Sequence, residues 1–155
     1  MNKPDAVSKP EAAHGEDDAQ LQTALLPGWY TLDRDQPHLI GTRCKACGTY
    51  YFPKQSTFCR NPDCASDQFE EVELSRTGKL WSWTNACYKP PEPFVAAEPF
   101  VPYAIAAVEL AKEKMIVLGA VIDGVGVEKL KSGMSMELKL ESTTDGKLTW
   151  KWKPA

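Results

Sequence analysis

The chain of 155 residues has little of what marks membrane, secreted or nucleic-acid-binding proteins. No apolar run approaches the ~20 residues that a membrane-spanning helix needs. The first residues carry Lys3, Asp5, Lys9 and Glu11 where a secretory signal would have an apolar core. The net charge of −3 lacks the basic excess that usually accompanies binding to a phosphate backbone. We therefore predict a soluble, cytoplasmic protein that binds neither membranes nor nucleic acid.

Groups suited to catalysis are also scarce. The chain has two histidines, His14 and His38, and its five cysteines leave only Cys87 outside one cluster. Cys87 has no histidine near it in sequence that could activate it as a nucleophile. We interpret Cys87 as a small residue buried at the end of a strand. The sequence thus predicts no catalytic residue in this chain.

What the chain does have is a compact set of thiols, arranged as two pairs: Cys44 with Cys47, and Cys59 with Cys64. In a reducing compartment such a set favours metal-bound thiolates over disulfides, and Zn²⁺ prefers four of them in a tetrahedron. Gly48 and the sequence Asn61-Pro62-Asp63 supply the turns that bring each pair together. We predict one structural zinc ion, with iron as the alternative metal for four thiolates. A closed shell of four thiolates leaves no position for Lewis-acid catalysis.

Composition and hydrophobic pattern divide the chain into four segments. Residues 1–22 have too little apolar surface to offset the entropy of ordering and are predicted to be disordered. Residues 23–37 are apolar around Pro27-Gly28 and either pack on their own domain or dock on a partner protein. Residues 38–72 hold the cysteines among few apolar residues, so their stability depends on the metal. Residues 73–155 form a separate β domain.

Period-two alternation predicts the strands of that domain. It is clearest in residues 136–141 and 148–153, which a turn at residues 143–146 joins as a hairpin. The remaining strands are predicted at residues 78–87, 103–110 and 114–122, and those of the cysteine region at residues 41–44 and 49–53. Five strands without a long helix fit a small Greek-key barrel. The predicted fold is mainly β, a rubredoxin-like zinc ribbon followed by a five-stranded OB-fold barrel.

One long connection, residues 88–102, is rich in proline and includes Phe94 and Phe100. Proline prevents a helix or a sheet ladder over most of this length. Long loops without secondary structure in compact domains are usually functional or disordered. We predict that this loop is an ordered lid or contact surface.

The order of these motifs resembles one known family. A Cys-x-x-Cys turn and a second cysteine pair are followed by Gly78 to Thr84, by Pro102-Tyr103 leading into residues 107–110, and by Gly133-Met134 before the last hairpin. From about Trp29 to the C-terminus, this order resembles the zinc-ribbon OB-fold proteins associated with acyl-CoA enzymes. The four-residue gap before Cys64 departs from the two residues more usual in that family. The resemblance implies a non-catalytic companion of a thiolase or thiolase-like subunit that acts on a 3-oxoacyl-CoA.

The resemblance also implies that this chain helps to form an acyl-CoA site at the interface with the catalytic subunit, and its own residues offer candidate contacts. The candidates are Phe94, Phe100 and Tyr103 as apolar lining, with Arg60, Lys79 and Lys89 as partners for the CoA phosphates.

Two other functions stay open. The pairs Trp81/Trp83 and Trp150/Trp152 invite comparison with the base-stacking platforms of nucleic-acid-binding OB-folds. An iron-loaded cluster would instead make the chain a rubredoxin-like electron carrier.

Overall fold

A computed structural model describes residues 23–155, so the predicted disordered tail, residues 1–22, lies outside the described residues. The described chain forms two antiparallel sheets. The strands of the first sheet are β1 (Ile40–Cys44), β2 (Tyr50–Tyr51) and β3 (Phe69–Glu73), in the order β2-β1-β3. The strands of the second sheet are β4 (Thr77–Ala86), β5 (Tyr103–Leu110), β6 (Met115–Ala120), β7 (Ser135–Ser142) and β8 (Leu148–Pro154), in the order β6-β5-β4-β7-β8. A short 3-10 helix, Val127–Lys129, precedes β7.

The five-stranded sheet curls into a barrel of the OB type. Its first strand, β4, is long and has a register shift between Leu80 and Ser82, and it pairs with both β5 and β7. Closure occurs where β6 ends, since Val121 forms a parallel bridge with Trp152 and the N–H of Ile122 donates to the Trp152 carbonyl at 3.0 Å. The predicted fold class is confirmed, and the five barrel strands lie where predicted to within a residue or two.

Strand β3 was not predicted from the sequence. It carries three glutamates in five residues, so it shows no period-two apolar pattern. The strand forms because it pairs with β1 along its whole length, with Cys44 opposite Phe69 and Gly41 opposite Val72. A pairing between segments this far apart in the chain is set by tertiary structure and not by local propensity.

The apolar segment 23–37 packs on the barrel of its own chain. Leu25 donates its N–H to the Leu148 carbonyl at 2.8 Å, and Leu148 donates its own to the Thr23 carbonyl at 2.9 Å. The Tyr30 side chain is buried, and its hydroxyl donates to the same Leu148 carbonyl at 2.8 Å. The segment thus extends the sheet beside the start of β8. This arrangement favours the first of the two interpretations given for the segment.

The ribbon and the barrel share one core. Leu39 and Leu74 of the ribbon side are fully buried in the same cluster as Leu80, Leu138 and Trp152 of the barrel. At the junction, the buried Glu113 carboxylate accepts hydrogen bonds from the N–H and hydroxyl of Ser75, at 2.8 and 2.9 Å. Among residues 23–155, no helix has the length and apolar character needed to cross a membrane.

Candidate metal centre

The four cysteines come from two turns that face each other at one end of the ribbon. Cys44 ends β1, and a tight turn closed by the Gly48 N–H on the Cys44 carbonyl, at 2.9 Å, brings Cys47 beside it. Gly48 has a φ of +76°, a backbone conformation that favours glycine. In the second pair, the Cys64 N–H donates to the Asn61 carbonyl at 3.0 Å, which folds the wide four-residue gap back toward the cluster.

The sulfur atoms have the geometry of a tetrahedral metal site. All four ligand atoms lie within 4.8 Å of one another. The Sγ atoms of Cys44 and Cys64 are 3.8 Å apart, and those of Cys47 and Cys59 are 3.5 Å apart. Four sulfurs bound to Zn²⁺ at ~2.3 Å in a regular tetrahedron lie ~3.8 Å apart. The residues therefore fit Zn²⁺, and no histidine or carboxylate joins the group within the described chain.

The electrostatics of the cluster differ from one thiol to the next. Hydrogen bonds from the hydroxyl and the backbone N–H of Thr49 lower the pKa of Cys47 to about 6. The backbone N–H of Ser66 acts to lower the pKa of Cys64, but burial and the three neighbouring sulfurs raise it to about 11. Four sulfurs this close cannot all be thiolates without a cation between them, because like charges repel. A bound divalent metal would supply that cation.

Tyr51 is a neighbour of the cysteine cluster that could not be recognised from the sequence. Its hydroxyl lies 3.1 Å from the Cys59 Sγ and accepts the N–H of Arg60 at 2.9 Å. The proximity of the Cys59 thiol raises the pKa of the Tyr51 phenol. With a metal bound, this hydroxyl would orient Cys59 in the way that outer hydrogen bonds orient metal ligands. No sequence signal marks it, because the second cysteine turn brings Cys59 to β2 only in the folded chain.

Within the described chain, one histidine, His38, and one cysteine, Cys87, lie outside the cluster and do not contribute to it. His38 lies at the junction, with Nδ1 3.0 Å from the Leu74 carbonyl and Nε2 3.8 Å from a Glu73 carboxylate oxygen. The prediction that Cys87 is buried is wrong, since the residue is exposed one position past the end of β4. It leaves the strand before the barrel core can cover it, and its thiol donates to the Asn85 carbonyl at 3.7 Å.

The proline-rich loop is ordered by a turn and an ion pair. The Phe94 N–H donates to the Pro91 carbonyl at 3.2 Å, and Lys89 pairs with Glu98 across the loop. Phe100 and Tyr103 meet edge to face at a centroid distance of 6.4 Å, whereas no ring contact within the described chain includes Phe94. The structure thus brings two of the three apolar candidates together and leaves the third partly exposed on the loop.

The basic candidates and the tryptophans do not form a single ligand platform. Lys89 is paired with Glu98, Lys79 donates to the Ser135 hydroxyl at 2.7 Å, and Arg60 lies in the ribbon. Of the four indoles compared with a base-stacking platform, Trp152 is fully buried, Trp83 and Trp150 are half-buried, and only Trp81 is exposed, at 61%.

Comparisons with known proteins agree with this architecture. Residues 33–70 match the family model of the ChsH2 rubredoxin-like zinc ribbon domain, and residues 71–141 match that of the ChsH2 C-terminal OB-fold domain. A DUF35 domain-containing scaffold protein of Methanocaldococcus jannaschii is 36% identical over 120 residues, which are 74% of this chain and 79% of that protein. The chain belongs to the ChsH2/DUF35 family.

Two further relatives of this ChsH2/DUF35 protein are described as parts of enzymes. The benzoylsuccinyl-CoA thiolase subunit BbsA of Thauera aromatica is 49% identical over 53 residues, which are 34% of this chain and 35% of BbsA. A solved structure described as the Ltp2-ChsH2(DUF35) aldolase is similar with a TM-score of 0.58 and 27% identity. That match covers 76% of this chain and 84% of the solved chain.

Proposed function

We propose that this ChsH2/DUF35 protein is a non-catalytic, zinc-containing subunit of a thiolase or thiolase-like enzyme that acts on a 3-oxoacyl-CoA. The observation that carries the proposal is a cluster of four cysteines that can close around one metal ion, while Cys87, the remaining cysteine of the described chain, has the Asn85 carbonyl beside it and no base. Thiolase chemistry needs a thiolate nucleophile, a base and an oxyanion hole. The relatives described as a thiolase subunit and an aldolase support a catalytic partner that provides these groups.

The zinc ion has a structural role in this proposal. Four cysteine ligands leave no open position for water or a thioester oxygen. The ribbon strands are short, and β2 has only two residues, so the metal would supply stability that the ribbon core lacks. Cys44, Cys47, Cys59 and Cys64 are the proposed ligands.

Metal analysis tests the ligand set. We expect one zinc per chain in the wild-type protein and loss of that zinc in a Cys47→Ser, Cys64→Ser double variant. Cys87→Ser is the matched control, because Cys87 lies outside the cluster, and it should keep its zinc. Full zinc content in the double variant would reject the assignment. A coloured native protein with iron in place of zinc would favour the electron-carrier alternative.

The acyl-CoA is proposed to lie beside the proline-rich loop of this chain, at the interface with the partner. The half-buried pair Phe100 and Tyr103 and the partly exposed Phe94 give this loop its apolar surface. Benzoylsuccinyl-CoA is a candidate substrate, since chain size and the wide second cysteine pair resemble the small subunit of that thiolase. Replacing both Phe94 and Phe100 by Ala should raise the KM for acyl-CoA of the complex while assembly is retained.

The decisive experiment compares the partner with and without this chain. The complex is purified from its native source, the partner is identified, and both proteins are then produced separately and together. CoA-dependent cleavage of 3-oxoacyl-CoA esters, benzoylsuccinyl-CoA among them, is measured for each. We expect activity from the complex and none from this chain alone. A partner that has the same kcat/KM and the same stability without this chain would refute the proposal.

A further inference from the structure

The described chain has four strands at sheet edges, and three of them are protected against pairing with other chains. Strand β2 is two residues long, and β3 carries Glu70, Glu71 and Glu73. The start of β8 is covered by residues 23–25, through the two hydrogen bonds of Leu148. Short length, charge and a covering segment are the usual means of protecting an edge. Strand β6 has none of these.

The backbone groups of Ile116 and Leu118 form the open edge of β6. The N–H of Val121 donates to the Ala104 carbonyl at 2.8 Å, so Val121 and Ala104 are a hydrogen-bonded pair of the antiparallel ladder. Such pairs alternate along a ladder. With the observed register, residues 115, 117 and 119 bond to β5, and residues 116 and 118 direct their N–H and C=O groups away from it. Barrel closure joins the C-terminal end of β6 to β8, through the bridge of Val121 with Trp152 and the N–H of Ile122, and Gly119 also lies against the Trp150 ring. The open part of the edge is therefore at residues 116 and 118.

The side chains at this edge are apolar and exposed. Leu118 is 64% exposed and Ile116 is 44% exposed. No charged residue occurs between Lys114 and Asp123, so the edge has no charge that would discourage pairing. An exposed and uncharged apolar edge promotes aggregation unless another protein covers it.

The open edge continues into the face that leads to the proline-rich loop. Opposite residues in a ladder lie on the same face, so Leu118 shares the outer face of the barrel with Ala107, and through β5 with Ile105 and Tyr103. Tyr103 contacts Phe100 of the loop. A protein that paired with β6 would therefore lie next to the loop proposed to border acyl-CoA.

Two lysines without ion-pair partners among residues 23–155 lie just before the N-terminal end of β6. Lys112 and Lys114 are exposed and have no carboxylate within ion-pair distance in the described chain, while Glu113 between them is bound to Ser75. A shallow depression at this end is lined by Glu109, Ala111, Lys114, Met115 and Ile116. Glu109 is the one acidic residue of this lining, so an acidic residue of the occupant would match Lys112 and Lys114, and its apolar residues would match Met115 and Ile116.

We propose that the open edge of β6 binds an extended segment of the catalytic subunit, which adds a strand beside Ile116 and Leu118. Such strand addition gains affinity from backbone hydrogen bonds and specificity from alternate side chains. Residues 1–22 of this chain are a poor occupant, because Val7 and Leu21 are their only larger aliphatic residues apart from Met1. The inference rests on the proposed function, which requires a catalytic partner.

Residue-resolved hydrogen exchange on the isolated chain and on its complex tests the hydrogen bonding. In the isolated chain, the amides of Ile116 and Leu118 should exchange quickly and those of Met115 and Val117 slowly. In the complex all four should be slow. Unchanged fast exchange at Ile116 and Leu118 in a fully formed complex would overturn the inference.

Two substitutions at Leu118 test separately the apolar character of the edge and its backbone hydrogen bonding. Leu118→Lys places a charge on the edge, and Leu118→Pro removes an N–H that the barrel itself does not use. Phe58→Lys is the matched control, because Phe58 is 62% exposed but lies in the ribbon region. Affinity for the purified catalytic subunit should fall by about tenfold or more in both Leu118 variants, the loss expected when one buried aliphatic contact is removed. The control should bind like the wild-type chain.

The possible results separate the site from the function. If the wild-type chain binds no catalytic subunit, the proposed function fails, and this inference with it. If the complex forms and both Leu118 variants bind with wild-type affinity, the function stands and the site is wrong. If the Leu118 variants lose only self-association, seen by sedimentation, the occupant is a second copy of this chain and the inference is overturned. Melting temperature and zinc content establish that each variant is folded.

Discussion

Replacing Leu25 by Ala distinguishes a segment that belongs to the barrel from one that docks on a partner. The Leu25 side chain is 6% exposed, and its N–H bonds to the Leu148 carbonyl at 2.8 Å. Removing a buried leucine side chain costs ~2–5 kcal/mol of the free energy of unfolding. Leu25 lies at the margin of the core, so we expect the lower part of that range, ~2–3 kcal/mol. For a chain of this size, each kcal/mol corresponds to ~2–4 °C, which gives a fall in melting temperature of ~4–12 °C.

The measurement is thermal unfolding of the zinc-loaded protein, followed by circular dichroism and by tryptophan fluorescence. Leu32→Ala is the matched control, because it changes the same residue type in the same segment at a position that is 45% exposed. This control should alter the free energy of unfolding by less than about 0.5 kcal/mol. Equal losses in the two variants would refute the assignment of Leu25 to the barrel. So would a Leu25→Ala protein that melts like the wild type but binds its partner less tightly.

Three further outcomes are expected. Gly119→Ala should lower the free energy of unfolding by ~1–3 kcal/mol in urea titrations, because the new Cβ would lie 2.1 Å from the Trp150 Cζ3. A second substitution, Trp150→Leu, in the same chain should recover part of this loss. Cys87→Ala should leave the thiolysis rate of the assembled complex unchanged, and a loss of several orders of magnitude would show that this chain supplies the nucleophile. Because protons compete with zinc for thiolates, zinc affinity should rise from pH 6 to pH 8, since Cys64, with a pKa of about 11, must lose a proton to bind zinc, whereas Cys47, with a pKa of about 6, has largely lost its own at neutral pH. Calorimetry in buffers of different ionisation enthalpy should detect the net release of protons on zinc binding. Equal affinity at pH 6 and pH 8 would contradict that expectation.

The clustering of the four cysteines was predictable because its signal is local. The cysteines of each pair are a few residues apart, with a turn former directly after the first pair, at Gly48, and within the second, at Asn61-Pro62-Asp63, so the local sequence brings the two cysteines of a pair together. The prediction that both pairs bind one ion rests on the preference of zinc for four ligands, and the clustering of the four sulfurs is consistent with it. The hairpin of β7 and β8 was predictable for a similar reason, since its alternation and its turn are contiguous in the chain.

Features that depend on distant pairing could not be predicted in this way. Strand β3 has three glutamates in five residues, and it is a strand because β1 lies beside it. Tyr51 reaches Cys59 only after the second cysteine turn has folded back. Cys87 is exposed because β4 ends one residue earlier, a boundary that no sequence pattern marks.

The sequence by itself determined the composition of the parts: one thiolate cluster, five alternating strands, a proline-rich loop and no evident catalytic pair. Only the tertiary structure decided what each apolar stretch contacts. Residues 24–26 and the stretch that contains β6 are both apolar, yet Leu25 in the first lies beside Leu148 and the second keeps Ile116 and Leu118 open. The physical reason is that a barrel closes through a few backbone bonds between strands remote in the chain, here at Val121 and Trp152. Those bonds leave one edge free, and no local pattern in the sequence shows which edge it is.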